Sequence, residues 1–335
     1  MTSVAERTAY KGIVPREGED GLYTQVWHAV AASTEVDAGK VIGKDFLGGR
    51  IVIFRAEDGT ASVTSAYCPH MGADLSDGDV VGADLRCAFH HWQFNGEGVC
   101  TKTGSGDAIP RNARVFKFPT REKYGLIWAF NGEEPTYEVP SFSVPEEDLV
   151  FHPSRVLDVM AVTYCDPWEF MCNTADFNHI QVVHGVTMDD PNPVDSVEWD
   201  QWGFTYPFRG TTADGMRLDF KVSIVGTNVY REESEINGRR RFVLNPCTPT
   251  KFGQYDSYSV IGTLKGDTPE EMAAADEYNV WSKEFQNNLL ADDVPIMNKM
   301  RFRPEMLTKS DLVLGRYLRF LRAFPRAHPA RDFIS

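Results

Sequence analysis

The sequence predicts an α+β protein in two parts: an N-terminal antiparallel β domain, then a larger region in which an antiparallel sheet wraps a long helix. Three observations carry this. Residues from about Thr24 to Phe130 alternate apolar and polar over short stretches broken by turn signals. Further on, two segments open with helix-capping patterns and an early proline. And 335 residues exceed what one hydrophobic core usually serves.

Element by element, Gly49 to Arg55 reads as a strand closed by the turn Glu57-Asp58-Gly59-Thr60, and Tyr124 to Phe130 as the last strand of the β domain. Asn131-Gly132, with Pro135 and Pro140, marks the boundary. The expected division is an N-terminal arm over 1–21, the β domain over 22–135 and the second domain over 136–335. Beyond the boundary, strand-like stretches at about 155 to 164 and 203 to 262 flank two helices. The first has Asp166 as N-cap, Pro167 at the first helical position and Glu169 completing a capping box. The second begins at Thr268-Pro269-Glu270-Glu271 and runs toward Met300.

A net charge of -14 argues against nucleic acid as a partner, because phosphate binding relies on clustered Lys and Arg. No apolar run has the length of a membrane span, and Met1 to Arg7 lack the profile of a secretion signal, so a cytoplasmic chain is expected. Six cysteines are too few for a disulfide scaffold at this length. Only Cys68 and Cys87 have histidines at ligand-like spacing; the other four read as buried apolar thiols.

Those two cysteines open the first chemical constellation. Cys68-x-His70 and Cys87-x-x-His90 offer two thiolates and two imidazoles on a β scaffold, a set able to hold zinc or a [2Fe-2S] cluster. Zinc sites usually pair like with like. Here each pair mixes Cys with His, which lets the two cysteines take one iron and the two histidines the other. Imidazole ligands lower the negative charge of such a cluster and keep a second ring nitrogen for a hydrogen bond at the surface.

The second constellation, Asn173-x-x-Asp176-x-x-His179-x4-His184-Gly185, holds two histidines five apart. Five helical steps turn a side chain by about 140°, so the pair meets on one metal only if the helix ends or bends between them. Asp176 and His179 share a face. Two imidazoles and one carboxylate are the minimal set for a non-haem Fe(II) with open positions. The best distant carboxylate is Asp293, whose helical neighbours Leu289, Leu290, Ile296, Met297 and Met300 are all apolar. Asp292 aligns instead with a polar stripe. The alternative is that Pro295 breaks the helix and Asp293 merely caps it.

Cys68 to Leu75 and Cys87-Ala88-Phe89-His90-His91-Trp92 resemble the Rieske signature, and the 173–184 motif resembles the catalytic segment of Rieske non-haem iron oxygenases, especially the 3-ketosteroid 9α-hydroxylase-like monooxygenases. His91 stands where that family often has glycine. The resemblance implies a helix-grip (START-like) catalytic domain, a [2Fe-2S] cluster on Cys68, His70, Cys87 and His90, and a mononuclear Fe(II) on His179, His184 and Asp293. It further implies that Asp176 carries electrons between subunits of a homotrimer, with Asn173 behind the iron ligands, and that a separate reductase or ferredoxin supplies the electrons. Cys172 departs from an acidic residue frequent there and reads as packing.

No nicotinamide or flavin fingerprint occurs in the chain. The second half is rich in aromatic residues, Trp168, Phe170, Phe177, Trp199, Trp202, Phe204, Tyr206 and Phe208 among them, which favours a hydrophobic ring-containing substrate. Monooxygenation is the favoured reaction, oxidative O- or N-demethylation the second, since the same scaffold serves both. The competing class is a Rieske electron carrier fused to a hydrophobic ligand-binding domain. The basic run Arg316 to Phe324 reads as a surface helix packed on the core.

Overall fold

The computed structural model describes residues 14–155, 165–236, 238–297, 299–300, 303 and 306–334. The first thirteen residues of the expected arm, and 156–164 of the strand-like stretch, lie outside the described residues. Two compact units emerge.

The smaller unit comprises Gly21–Val139, Thr248–Phe252 and Pro325–Ser335. It is built of short antiparallel sheets. One joins β3 (Lys40–Phe46), β4 (Gly49–Arg55), β5 (Ala61–Ser65) and β10 (Lys117–Phe118); a second orders β6 (Asp79–Val81), β7 (Asp84–Arg86), β8 (Gln93–Phe94) and β9 (Cys100–Lys102). A third joins β2 (Trp27–Ala32), β11 (Thr120–Lys123) and β12 (Leu126–Phe130). β4 shows how this unit is layered. Because side chains alternate across a strand, Ile51 and Ile53 enter one core with Phe46 and Phe118, while Val52 and Phe54 enter another with Leu75, Phe94, Cys68 and Cys87. Burial on both faces explains the unbroken apolar run in this strand.

Two segments far off in sequence complete this unit, and a division at residue 135 leaves both outside. β1 (Tyr23–Thr24) pairs with β21 (Arg326–Ala327), and the buried Asn131 Nδ2 donates to the carbonyls of Tyr23, Thr24 and Ala327. The amides of Leu47 and Gly48 donate to the carbonyls of Pro249 and Thr250.

The larger unit, Met1–Asp20, Pro140–Cys247 and Gly253–Phe324, carries an antiparallel sheet. Its strand order is β13 (Leu149–Arg155), β20 (Tyr255–Leu264), β19 (Arg239–Pro249), β18 (Val229–Ile236), β17 (Arg217–Val225), β16 (Gly203–Thr211) and β14 (Thr187–Met188), and the short β15 (Glu198–Trp199) also pairs with β16. α1 (Pro167–Ala175) begins with the expected capping box of Asp166 and Glu169. α2 (Phe177–Val182) follows after one residue. α3 (Pro269–Met297) is a helix of 29 residues that continues through Pro295, so Asp293 lies inside it rather than capping it. Its inward side carries Gln286, Leu290, Asp293, Val294 and Met297, whereas Ile296 and Met300 are exposed. α4 (Leu312–Ala323) buries Val313, Leu314, Tyr317, Leu318 and Leu321 in the same core. The fold is therefore α+β, with the helix-on-sheet arrangement expected for the second half. Among the described residues no helix is long and apolar enough to cross a membrane.

Candidate metal centres

The two Cys-His loops are built alike. In the first, Cys68 N–H donates to the carbonyl of Ala73 and Gly72 N–H to that of Cys68; in the second, Cys87 N–H donates to Trp92 and His91 N–H to Cys87. Each loop turns at the fourth residue after its cysteine in left-handed backbone, Gly72 at φ +77° and His91 at φ +57°. His91 thus occupies a position with a conformational reason for glycine, and its side chain is no part of the ligand set.

The matched turns bring the four predicted side chains to one place. His70 and His90 lie with ring centroids 4.6 Å apart, and His70 stacks on Trp92 at 4.6 Å and 8°. Both histidines are exposed while both cysteines are buried. Burial, with Cys87 adjacent, pushes the Cys68 thiol up to about 12. Paired buried sulfurs beneath paired exposed imidazoles suit a cluster whose two irons differ in ligand type. Cys100, a third buried thiol nearby, donates to the carbonyl of Lys102 at 3.5 Å instead.

In the larger unit, α1 stops at Asp176, whose φ of -104° and ψ of 91° break the helix. Asp176 then caps α2: its Oδ1 accepts from Asn178 N–H at 3.1 Å and His179 N–H at 3.3 Å. The bond between Asp176 and the neighbouring histidine runs through the main chain, because His179 Nδ1 lies 2.6 Å from the carbonyl oxygen of Asp176. Asp176 Oδ2 takes no part in the cap.

α2 ends after fewer than two turns, at Val183, and Gly185 adopts φ +63°. The helix end supplies the bend that histidines five apart require. His179 and His184 stand with ring centroids 5.2 Å apart, and Asp293 Oδ1 lies 3.9 Å from His179 Nε2 and 3.4 Å from His184 Nε2. One potential ligand atom from each of the three lies within 4.8 Å of the others. Burial would lower the His184 pKa, but Asp293 and, less closely, Asp292 raise it. Among the described residues the buried His184 Nδ1 has no hydrogen-bond partner; an oxygen of Asp292 is 3.6 Å away. A buried carboxylate facing two imidazoles fits a divalent cation. Asn173, also predicted here, turns its Nδ2 to Met297 Sδ at 3.2 Å. Burial raises the Cys172 thiol well above its ordinary range, as befits a packing residue.

The triad forms part of the wall of a cavity of about 330 Å³. Of the aromatic residues noted in the sequence, Phe170, Tyr206 and Phe208 line it; Trp168, Phe177 and Phe204 are core. Polar residues that sequence reasoning missed also reach it: Thr174, Thr212, Asp214, Tyr230, Asn245 and Gln286. Gln286 alone had a legible signal, its position seven residues before Asp293 on one helix.

Residues 26–119 match the Rieske [2Fe-2S] domain, and this part of the chain is such a domain. The chain is 33% identical over 171 residues to the cholesterol 7-desaturase nvd of Bombyx mori, an alignment covering 50% of this chain and 36% of that protein. It is 32% identical over 124 residues to the oxygenase component of 3-ketosteroid-9-alpha-monooxygenase of Rhodococcus rhodochrous, covering 37% and 32%. The alignments thus span about a third of the length of these curated relatives. Among solved structures, an NdmA mutant of Pseudomonas putida CBB5 with caffeine superposes with a TM-score of 0.67 at 22% identity, covering 89% of each chain. Both parts therefore share the fold of that protein.

Proposed function

We propose that this chain is the terminal oxygenase component of a multicomponent Rieske monooxygenase, hydroxylating a hydrophobic ring-containing small molecule. The observation that carries this reading is the His179, His184 and Asp293 triad on the wall of an apolar cavity, in a chain that also holds a Rieske domain. A Rieske domain alone would suit an electron carrier. A two-histidine, one-carboxylate set with half-buried histidines and a buried carboxylate, beside a ligand-sized cavity, suits catalysis.

Cys68, His70, Cys87 and His90 would hold the cluster, and His179, His184 and Asp293 a ferrous ion. Bound there, the two groups supply one-electron transfer and the reductive activation of dioxygen. The chain's own residues set the conditions. The Asp176 carbonyl engages His179 Nδ1, which leaves Nε2 to the metal and fixes the ring. Asp293 offsets one positive charge in a buried site. Phe170, Phe208 and Phe220 give the cavity apolar walls that exclude water around the reacting carbon.

Electrons are proposed to come from a separate NAD(P)H-dependent reductase and to pass through the exposed ring of His70 or His90 to Asp176 of a neighbouring subunit in a homotrimer. The Asp176 oxygen outside the cap, Oδ2, supports that role. The test is metal and product analysis of the purified protein with a surrogate reductase. Three irons and two sulfides per chain are expected, with a product one oxygen heavier than the substrate. Two irons in fully loaded protein would leave an electron carrier; loss of a methylene unit would replace hydroxylation by demethylation.

A further inference from the structure

The wall of the cavity contains a polar group held in place from behind. Arg241, fully buried, donates through Nε to Ser282 Oγ at 2.6 Å, through Nη1 to Glu232, and through Nη2 to Gln286 Oε1 at 2.7 Å. Glu232 also accepts from Tyr230 Oη and Ser234 Oγ, each at 2.6 Å. The charge of Arg241 is thus matched by Glu232, and the network as a whole is neutral.

That network decides how Gln286 faces. A guanidinium has only donors, so the amide oxygen of Gln286 must point at Arg241 and the amide nitrogen away from it. Among the described residues nothing accepts from this nitrogen, although the side chain lines the cavity. Asn245, cross-strand from Tyr230, lines it as well, with its buried side-chain oxygen unpartnered. The cavity therefore offers an unmet hydrogen-bond donor from Gln286 on a wall otherwise rich in apolar side chains.

Helical geometry gives the distance of that donor from the triad. Gln286 precedes Asp293 by seven residues on the same side of α3, which is two turns, or about 10 Å along the axis. Charge sets the sign of what fits. No Lys or Arg lines the cavity among the described residues, and its acidic lining residues are Asp293 and Asp214. At the Gln286 end, about two helical turns from the triad, an anion would give up its hydration without meeting a cation.

We propose that Gln286, locked by Arg241, is a specificity-determining donor, and that the substrate is a neutral, elongated ring compound whose carbonyl or hydroxyl oxygen lies about two helical turns from the reacting carbon. This rests on the reading of His179, His184 and Asp293 as the metal site. It adds that carboxylates of similar shape are rejected.

The test is calorimetric binding to the metal-loaded protein, without turnover, of three probes of one shape: biphenyl, 4-acetylbiphenyl and biphenyl-4-carboxylate. The acetyl probe is expected to bind about three- to tenfold more tightly than biphenyl, the worth of one neutral hydrogen bond, and the carboxylate more weakly than either. Gln286→Leu should erase the acetyl preference. Gln286→Glu keeps an acceptor for Arg241 while removing the donor, so it decides the matter even if the leucine variant folds poorly. Equal binding of biphenyl and 4-acetylbiphenyl, tightest binding of the carboxylate, or an acetyl preference that survives the Gln286→Glu change would overturn the proposal. Iron content of the Asp293→Ala protein, measured separately, judges the metal reading: undiminished iron removes that reading, whatever the probe ratios.

Discussion

His91 shows how a single backbone angle explains a departure at a motif position. Its φ of +57° is a conformation that histidine tolerates and β-branched residues do not. His91→Val is therefore expected to destabilise the Rieske domain by about 1–2 kcal/mol. His91→Gly should stay within about 0.5 kcal/mol of the parent, because relief of strain is offset by the extra freedom of glycine in the unfolded chain. Urea midpoints at constant slope check both, and a valine variant as stable as the parent would remove the argument. Asp74, which follows the first Cys-His loop, gives a pH prediction. Its carboxylate accepts from Ser76 N–H at 2.8 Å and from Arg50 Nε at 2.5 Å. Burial would raise its pKa, but Ser76 and Arg50 together hold it below the usual carboxylate range. A depressed carboxylate contributes stability above its unfolded pKa of about 3.9 and loses it as pH falls through the lower folded value. Asp74→Ala should thus cost about 1 kcal/mol near neutrality, and the gap should close as pH falls from about 5 toward 3. A pH-independent gap in denaturation midpoints would assign the loss to packing.

At the scale of elements, Asp176 is the joint between α1 and α2, and the two halves of the residue do different work. The carboxylate caps α2; the carbonyl engages His179. Asp176→Asn preserves a good cap and the carbonyl, so iron content should be retained while any role of the free oxygen in electron transfer is lost. Asp176→Ala removes the cap as well, at about 1 kcal/mol of helix stability, and loosens the His179 ring, so iron should dissociate faster. Iron retention after dialysis, alongside coupled oxygen uptake, separates the two variants. Identical iron loss in both would refute the division of labour. The motif made this pair legible in sequence because side chains three apart share a helical face. It did not show that the helix breaks between them, since broken and continuous helices present the same residues at that spacing. Asp293 was legible for the opposite reason: α3 is long and regular, and an acid flanked by apolar residues at helical spacing has an interior position. Asn245 and Tyr230 were not, because strand alternation tells which face a residue takes and not whether that face meets a cavity or a packed core.

At the scale of the whole molecule, the Rieske unit is assembled from three stretches of chain. Local patterning identified the long stretch well, since its strands alternate and its turns carry Asn, Asp and Gly. The short pieces at 248–252 and 325–335 carry no signal of their own: two-residue pairing such as β1 with β21 depends on contacts some three hundred residues apart. Yet those pieces fill specific needs. Ala327 provides one of the three carbonyls that satisfy the buried Asn131 amide, and the backbone of Ile334 approaches Gly49 so closely that a Cβ there would lie 2.1 Å from its carbonyl oxygen. Ending the chain after Phe324 should therefore unpair β1, leave Asn131 Nδ2 with two acceptors in place of three, and uncover Phe46 and Ile51 in the core that Ile334 helps close. The expected loss is about 2–4 kcal/mol, combining the buried side chains of Ala330 and Ile334 with one weakened polar group. It should be read as earlier bleaching of the cluster absorbance on heating, with the visible spectrum at low temperature unchanged, because no ligand of the cluster is touched. Gly49→Ala offers the complementary perturbation, pushing Ile334 away while leaving the chain complete, and should lower the bleaching temperature in the same direction. Unaltered bleaching in both proteins would mean that residues 22–135 alone hold the cluster as firmly as the whole unit does.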